Sequence, residues 1–138
     1  MCDYSFIEKP APDEITQITN LYRRENWWKQ EGDNPEMVRL IIAGSHCFLL
    51  VRYEDSIVGM GRAVSDGVSD AYIQDVTVMD SFRGKGIGTR IVKILIDRLE
   101  KDGINWIGLI AERGSHPFYE NLGFSVMENS TPMLRLKI

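Results

Sequence analysis

The stretch SFRGKGIGTR at 81–90 sets glycines at 84, 86 and 88 among basic residues, directly after an apolar run. Glycine at alternate positions gives up packing and costs backbone entropy, so something needs bare backbone there. The run falls between a strand-like segment and a helix-like one. A helix start leaves N–H groups without acceptors and carries the positive end of the helix dipole, and the two together attract anions. Arg83 and Lys85 add positive charge beside it. The expected chemistry is the holding of a phosphate-bearing cofactor by Arg83, Gly84, Lys85, Gly86, Ile87, Gly88 and Thr89.

Three phosphate motifs compete for these residues. A P-loop needs Gly-Lys-Ser/Thr, but Gly86 follows Lys85. A dinucleotide fingerprint needs glycine where Thr89 stands, and it normally opens the first strand-to-helix turn of a chain. Arg-x-x-Gly-x-Gly fits at Arg83, Gly86 and Gly88. The bland alternative is a tight strand-to-helix turn, which a single glycine would serve.

The elements that must position this loop follow from periodicity and punctuation. Alternation predicts strands over 4–9, 46–53, 56–65, 71–79 and 105–112, with two more at 124–128 and 133–138. Helical spacing of Ile15, Ile18, Leu21 and Tyr22 predicts a helix over 11–26 with Asp13 as its N-cap. A second helix covers 34–44, capped by Asn34, opened by Pro35 and stopped by Gly44. A third covers 87–103, with Ile87, Ile91, Leu95 and Leu99 in one stripe, and a short fourth covers 116–122. The fold class is α/β: a single domain over 1–138, in the order βααβββαβαββ, with a mixed, mostly antiparallel twisted sheet and helices on both faces. The charged runs at 23–25 and 97–102 read as solvated helix faces.

Composition removes several classes of function. The chain has 138 residues, 43% of them hydrophobic and 26% charged, as in an ordinary globular domain. Its net charge of −4 argues against a nucleic-acid partner. No apolar run approaches the roughly 20 residues that span a bilayer, and the acidic N-terminus lacks a signal pattern, so the expectation is a cytoplasmic protein with no membrane partner. Cys2, Cys47, His46 and His116 stand apart, without metal-ligand spacing, so no metal is expected.

VMDSFRGKGIG at 78–88, followed about thirty residues later by HPFYENLGF at 116–124, resembles the GNAT superfamily of acetyl-CoA-dependent N-acetyltransferases. The resemblance runs from about Ser56 to Phe124, with Asp80 where the family commonly has proline. It implies that the glycine loop binds the coenzyme A pyrophosphate through main-chain N–H groups. It also implies that the strand before it splays from its neighbour, so that Val76 and Val78 offer backbone to the pantetheine and the Val78 N–H to the oxyanion. The stretch from Val58 to Val78 is similar to members that acetylate small amines or aralkylamines, and in some cases protein lysines. A homodimer is also implied, since relatives often pair through their C-terminal strands.

Acetyl transfer to an amine needs a neutral nucleophile, a donor for the oxyanion and a proton for the departing thiolate. By resemblance, Tyr119 is the acid that faces the cofactor sulfur; the alternative is an aromatic core residue. Asp75, an acid inside an otherwise apolar strand, is the candidate base, against which stands a simple ion pair with Arg62. Tyr72, Gln74, Glu112 or an ordered water chain could serve instead. Trp27 and Trp28 are expected to flank a cationic or aryl acceptor, or else to lid the core. The expected activity is direct transfer from acetyl-CoA to a small primary amine. Its rivals are a protein lysine or N-terminal acetyltransferase and a non-catalytic acyl-CoA sensor.

Overall fold

The computed structural model describes residues 1–137. Its elements are β1 (Asp3–Phe6), α1 (Pro12–Arg24), α2 (Pro35–Gly44), β2 (Cys47–Tyr53), β3 (Ser56–Ser65), β4 (Asp70–Val78), α3 (Ile87–Lys101), β5 (Trp106–Gly108) and α4 (His116–Glu120). The five strands form one sheet in chain order. β1 to β4 pair antiparallel, and β4 and β5 pair parallel.

Each face of the sheet has its own core. On one face α3 lays Ile87, Ile91, Val92, Leu95 and Leu99 against Leu49, Ala63 and Ile73. On the other, α1 and α2 bring Ile15, Ile18, Leu21, Val38 and Ile42 onto Phe48, Leu50 and Met60. The sheet is therefore covered on both sides, as an apolar β2 requires. Helix α3 settles deeply onto β3 because Gly61 has no side chain: a Cβ there would lie 2.7 Å from Ile91 Cγ2.

Some boundaries differ from those the sequence predicts. Helix α1 starts before Asp13: Ala11 is its N-cap residue, Pro12 opens it, and Glu14 reaches back to the Ala11 N–H at 2.8 Å. Glu14 is also held by Arg52 of β2, which ties the start of α1 to the sheet. Asn34 caps α2 as expected, accepting from the Met37 N–H at 3.2 Å. β5 is only three residues long, and its predicted continuation over 109–112 forms no ladder.

The strands expected over 124–128 and 133–138 are the larger correction. Among the described residues the chain after α4 runs through turns and irregular segments without strand pairing, and Val126, Met127, Met133, Leu134 and Leu136 are exposed. Their alternation satisfies a strand pattern, yet a strand also needs a paired neighbour, and among the described residues this segment pairs with none, although the outer side of β5 is an open edge of the sheet. Ile138 lies outside the described residues.

The β3–α3 contact yields a direct test. Gly61→Ala should lower stability by about 1–3 kcal/mol through overpacking. Gly44→Ala, whose Cβ would meet nothing within 4 Å at the end of α2, should leave stability unchanged or raise it by up to about 1 kcal/mol. Urea unfolding of the two variants measures the contrast.

Candidate active site

β4 and β5 stay paired only over Asp70–Trp106, Ala71–Ile107 and Tyr72–Gly108. Beyond Gly108 the chain leaves, and the rest of β4 has a partner on one side only, β3. The gap is a cleft of about 860 Å³, floored by Ile73 to Val78 and walled by the glycine loop, the 109–115 segment and α4.

The backbone of β4 is shaped for this gap. Its register against β3 shifts between Met60 and Arg62, giving β4 one extra residue, and Asp75 sits there at φ 58. That is a β-bulge in which an aspartate takes the left-handed conformation usually left to glycine. The Met79 N–H donates to Val58 O on β3 at 2.8 Å, so the peptide groups of Val78 face the other way. The Val78 carbonyl accepts from Arg83 Nε at 3.0 Å, and its N–H is directed toward the same open side. Val76 and Val78 both line the cleft.

The glycine loop leaves β4 through a 3₁₀ turn at Asp80–Phe82. Gly84 (φ 77) and Gly86 (φ 81) take left-handed conformations, which explains both residues by conformation alone. Gly86 is the N-cap of α3, with no side chain to satisfy the first turn. The first intrahelical bond is Arg90 N–H to Gly86 O at 3.1 Å, so the N–H groups of Ile87, Gly88 and Thr89 lie ahead of the helical ladder. Gly88 lies in the helix, where a Cβ would stand 3.5 Å from Phe118 and 3.8 Å from Val78. Gly84, Gly86, Ile87, Gly88 and Thr89 all line the cleft. The donor set fits a pyrophosphate: backbone N–H groups, a helix dipole and no side-chain cap in competition.

Two basic residues act differently from the expectation. Lys85 is not among the cleft-lining residues; its ammonium stands 5.3 Å over the Phe82 ring. Arg83 lines the cleft, but its guanidinium is engaged with Val78 O, with Glu25 at 2.9 Å and with Asp80 at 3.3 Å. The acid at position 80 is thereby neutralised from both sides, since Arg24 also approaches it at 3.3 Å.

Of the remaining candidates, Tyr119 lines the cleft, and burial together with the charge of Glu112 holds its phenol above the ordinary tyrosine value. Its ring packs edge-on to Phe118 and Phe124. Asp75 lines the cleft too, but its Oδ2 accepts from Arg62 Nε at 2.6 Å and from the Tyr22 hydroxyl at 2.7 Å. The Arg62 pair set against base catalysis is therefore present. Tyr22, buried beside this carboxylate, has its ionisation pushed far up. The tryptophans separate. Trp27 lines the cleft, whereas Trp28 stacks on Tyr22 at 4.1 Å and belongs to a separate surface hollow, so its expected place at the acceptor is corrected to a packing role.

Glu25, Thr77 and Arg113 escaped the sequence reading. The run at 23–25 is not a uniformly solvated face, for Glu25 is only 12% exposed. Asn26 at φ 61 ends α1 in a Schellman motif, with Trp27 N–H to Tyr22 O at 3.2 Å and Asn26 N–H to Arg23 O at 3.0 Å. The motif turns Glu25 and Trp27 into the cleft. Asn immediately after Arg-Arg-Glu was the signal for it.

The matching family model is described as the acetyltransferase (GNAT) family, and it covers residues 12–124. The uncharacterized N-acetyltransferase ycf52 of Porphyra purpurea is 38% identical over 79% of this chain and 67% of its own length. Serotonin N-acetyltransferase 2, chloroplastic, of rice is 38% identical over 50% of this chain and 34% of that protein. Histone acetyltransferase TAP1 of soybean is 40% identical over 49% of this chain and 29% of that one. The chain thus spans about a third of the length of these last two relatives. A GNAT-family acetyltransferase structure from Streptococcus pneumoniae superposes with a TM-score of 0.79 at 23% identity, covering 99% of this chain and 98% of that one. An acetyltransferase from Clostridium acetobutylicum, solved with acetyl-CoA, gives 0.76 at 15% identity, covering 97% and 96%.

The cap that turns Glu25 and Trp27 inward can be tested by substitution at its left-handed residue. Asn26→Gly should keep stability or raise it, while Asn26→Val should cost about 1–2 kcal/mol. Thermal unfolding of both variants, with Trp fluorescence as the local probe, reads the difference.

Proposed function

The chain belongs to the acetyltransferase (GNAT) family, and from that premise we propose that it transfers an acetyl group from acetyl-CoA to the primary amine of a small molecule by direct attack. The observation that carries this is the separation of β4 from β5 after three paired residues, beside a helix start with free N–H groups. Acetyl-CoA brings the acetyl group as a thioester, a carbonyl already open to an amine. The N–H groups of Ile87, Gly88 and Thr89 hold its phosphates, and the open backbone of Val76 and Val78 aligns the pantetheine as an added strand would. The Val78 N–H faces the open side and serves as oxyanion donor.

Tyr119 donates the proton to the departing thiolate. Its raised ionisation keeps the phenol protonated through neutral and mildly alkaline pH, the form an acid must begin in. Asp75 receives the amine's proton on Oδ1, the oxygen that neither Arg62 nor Tyr22 takes. No acyl-enzyme is involved in this reading. Cys2 and Cys47 are outside the cleft lining, and burial pushes the Cys47 thiol up to about 11.

The cleft supports a small cationic or aryl acceptor: Trp27 offers a ring face, and Glu25, Asp75 and Glu112 offer carboxylates. The likeness to a histone acetyltransferase, equal in extent to the likeness to a serotonin acetyltransferase, is the specific observation favouring a protein lysine or N-terminal acceptor instead. Against a non-catalytic acyl-CoA sensor stands a protonatable phenol within the cleft. No helix among the described residues is long and apolar enough to cross a membrane; the reading adds that the protein works in the cytoplasm, where two free cysteines persist. It also takes the exposed apolar residues after α4 as surface that a second copy of the chain covers.

Free-thiol release from acetyl-CoA, screened over amines and peptides, tests the activity. With an accepted amine, Tyr119→Phe should lower kcat by about 10²–10⁴-fold while acetyl-CoA affinity by calorimetry stays close to wild type. Turnover within a few-fold of wild type would assign the proton to another group. Asp75→Asn should lower kcat by about 10²–10⁴-fold with acetyl-CoA affinity close to wild type. A kcat near wild type, with stability reduced, would leave Asp75 the sole task of pinning the bulge.

A further inference from the structure

The Glu25 carboxylate is held by two separate sets of donors. Oε1 accepts from the Thr77 hydroxyl at 2.7 Å and from Arg83 Nη2 at 2.9 Å, both anchored to β4 or its exit. Oε2 accepts from Arg113 Nη1 at 2.9 Å, and Arg113 Nη2 donates to the main-chain carbonyl of Glu25 at 2.6 Å. The first set fixes the carboxylate whether or not the second is present. Arg113, by contrast, stands in the irregular 109–115 segment at φ 55, before Gly114 at φ 72, with its side chain 58% exposed. Its two hydrogen bonds, both to Glu25, cross the cleft from one wall to the other.

The place Arg113 occupies has the makings of a cation site independent of Arg113. Glu25 is the C-cap of the 13-residue α1, so its carbonyl is one of the helix's orphan acceptors, at the negative end of the dipole. A carboxylate oxygen stands beside that carbonyl, and Trp27 lines the same cleft. Of the other two carboxylates lining the cleft, Asp75 already has Arg62, and Glu112 lies on the same irregular segment as Arg113, without a helix-end carbonyl beside it. Taking the acetyltransferase reading as given, we infer that Glu25 selects the acceptor by receiving a second cationic group on it, a guanidinium or ammonium remote from the reacting amine, and that Arg113 is the internal competitor which such a group displaces. The substrate class is then a diamine or guanidino-amine. An arginine whose partners all lie on one residue, in a loop containing two left-handed positions, can swing outward without breaking the core.

The probe is agmatine, a primary amine with a distal guanidinium, compared with butylamine, which has no second cation. Calorimetric titration and turnover with acetyl-CoA are measured in wild type, Arg113→Ala and Glu25→Gln. Wild type should prefer agmatine to butylamine by at least about tenfold in KM, the worth of one partly exposed charged hydrogen bond. Arg113→Ala should widen that preference by several-fold, and Glu25→Gln should abolish it, with circular dichroism checking that each variant is folded at the assay temperature. Glu25→Asp, which keeps the charge, should retain part of it. The opposite signs are decisive: if Arg113 merely ties two loops together, both variants will weaken both amines alike, and the inference fails. Agmatine binding that follows the predicted pattern without thiol release from any amine would uphold the cation site and overturn the transferase reading. Transfer to both amines at equal efficiency in all three proteins would do the reverse.

Discussion

A parallel strand pair that is broken off after three residues leaves half of a central strand with unpaired peptide groups, and a folded chain has to account for each of them. Here the remainder of β4 faces a cleft, and the surrounding structure exists to keep that cleft open. Were β5 to continue along β4, the gap would close, and the glycine loop would face a wall of strand. The bulge at Asp75 adds the second half of the constraint by bending β4 just before the loop, at a conformation that an aspartate adopts only at a cost.

That cost is met on the α1 side of the sheet. Arg62 from β3 and Tyr22 from α1 converge on one oxygen of Asp75, which fixes the bulge to two other elements at once. Three residues later in α1, Glu25 reaches over the same strand to Thr77 and to Arg83. The C-terminal turns of α1 thus touch the floor of the cleft twice and the glycine loop once. An ion pair at an exposed surface is worth little, but Glu25 and Asp75 are largely buried and each accepts from several donors, so they define positions as much as they add stability.

Much of this was legible in the sequence because it rests on local rules. The stripe Ile87–Ile91–Leu95–Leu99 gave α3 its buried face, and Asn34-Pro35 opened α2. Gly84 and Gly86 proved to be left-handed positions beside a helix start. What the sequence did not disclose depends on distant partners. Glu14 closes the start of α1 on the Ala11 N–H and also pairs with the distant Arg52, and Glu25 turned inward because Asn26 ended α1 with a left-handed residue. The pattern at 124–128 and 133–137 is that of strands, yet periodicity shows only that residues alternate, not whether the segment docks on the open edge at β5. Trp27 and Trp28, adjacent in sequence, both pack on Tyr22, yet only Trp27 also lines the cleft, a difference set by tertiary packing.

The central claim is that the open half of β4 and the start of α3 jointly hold coenzyme A. Titration of the ¹⁵N-labelled protein with coenzyme A tests it at the level of single amides. The account predicts saturable shifts concentrated at Val76, Val78 and Gly84 to Thr89. Saturable shifts confined to other regions, or no binding at all, would contradict it.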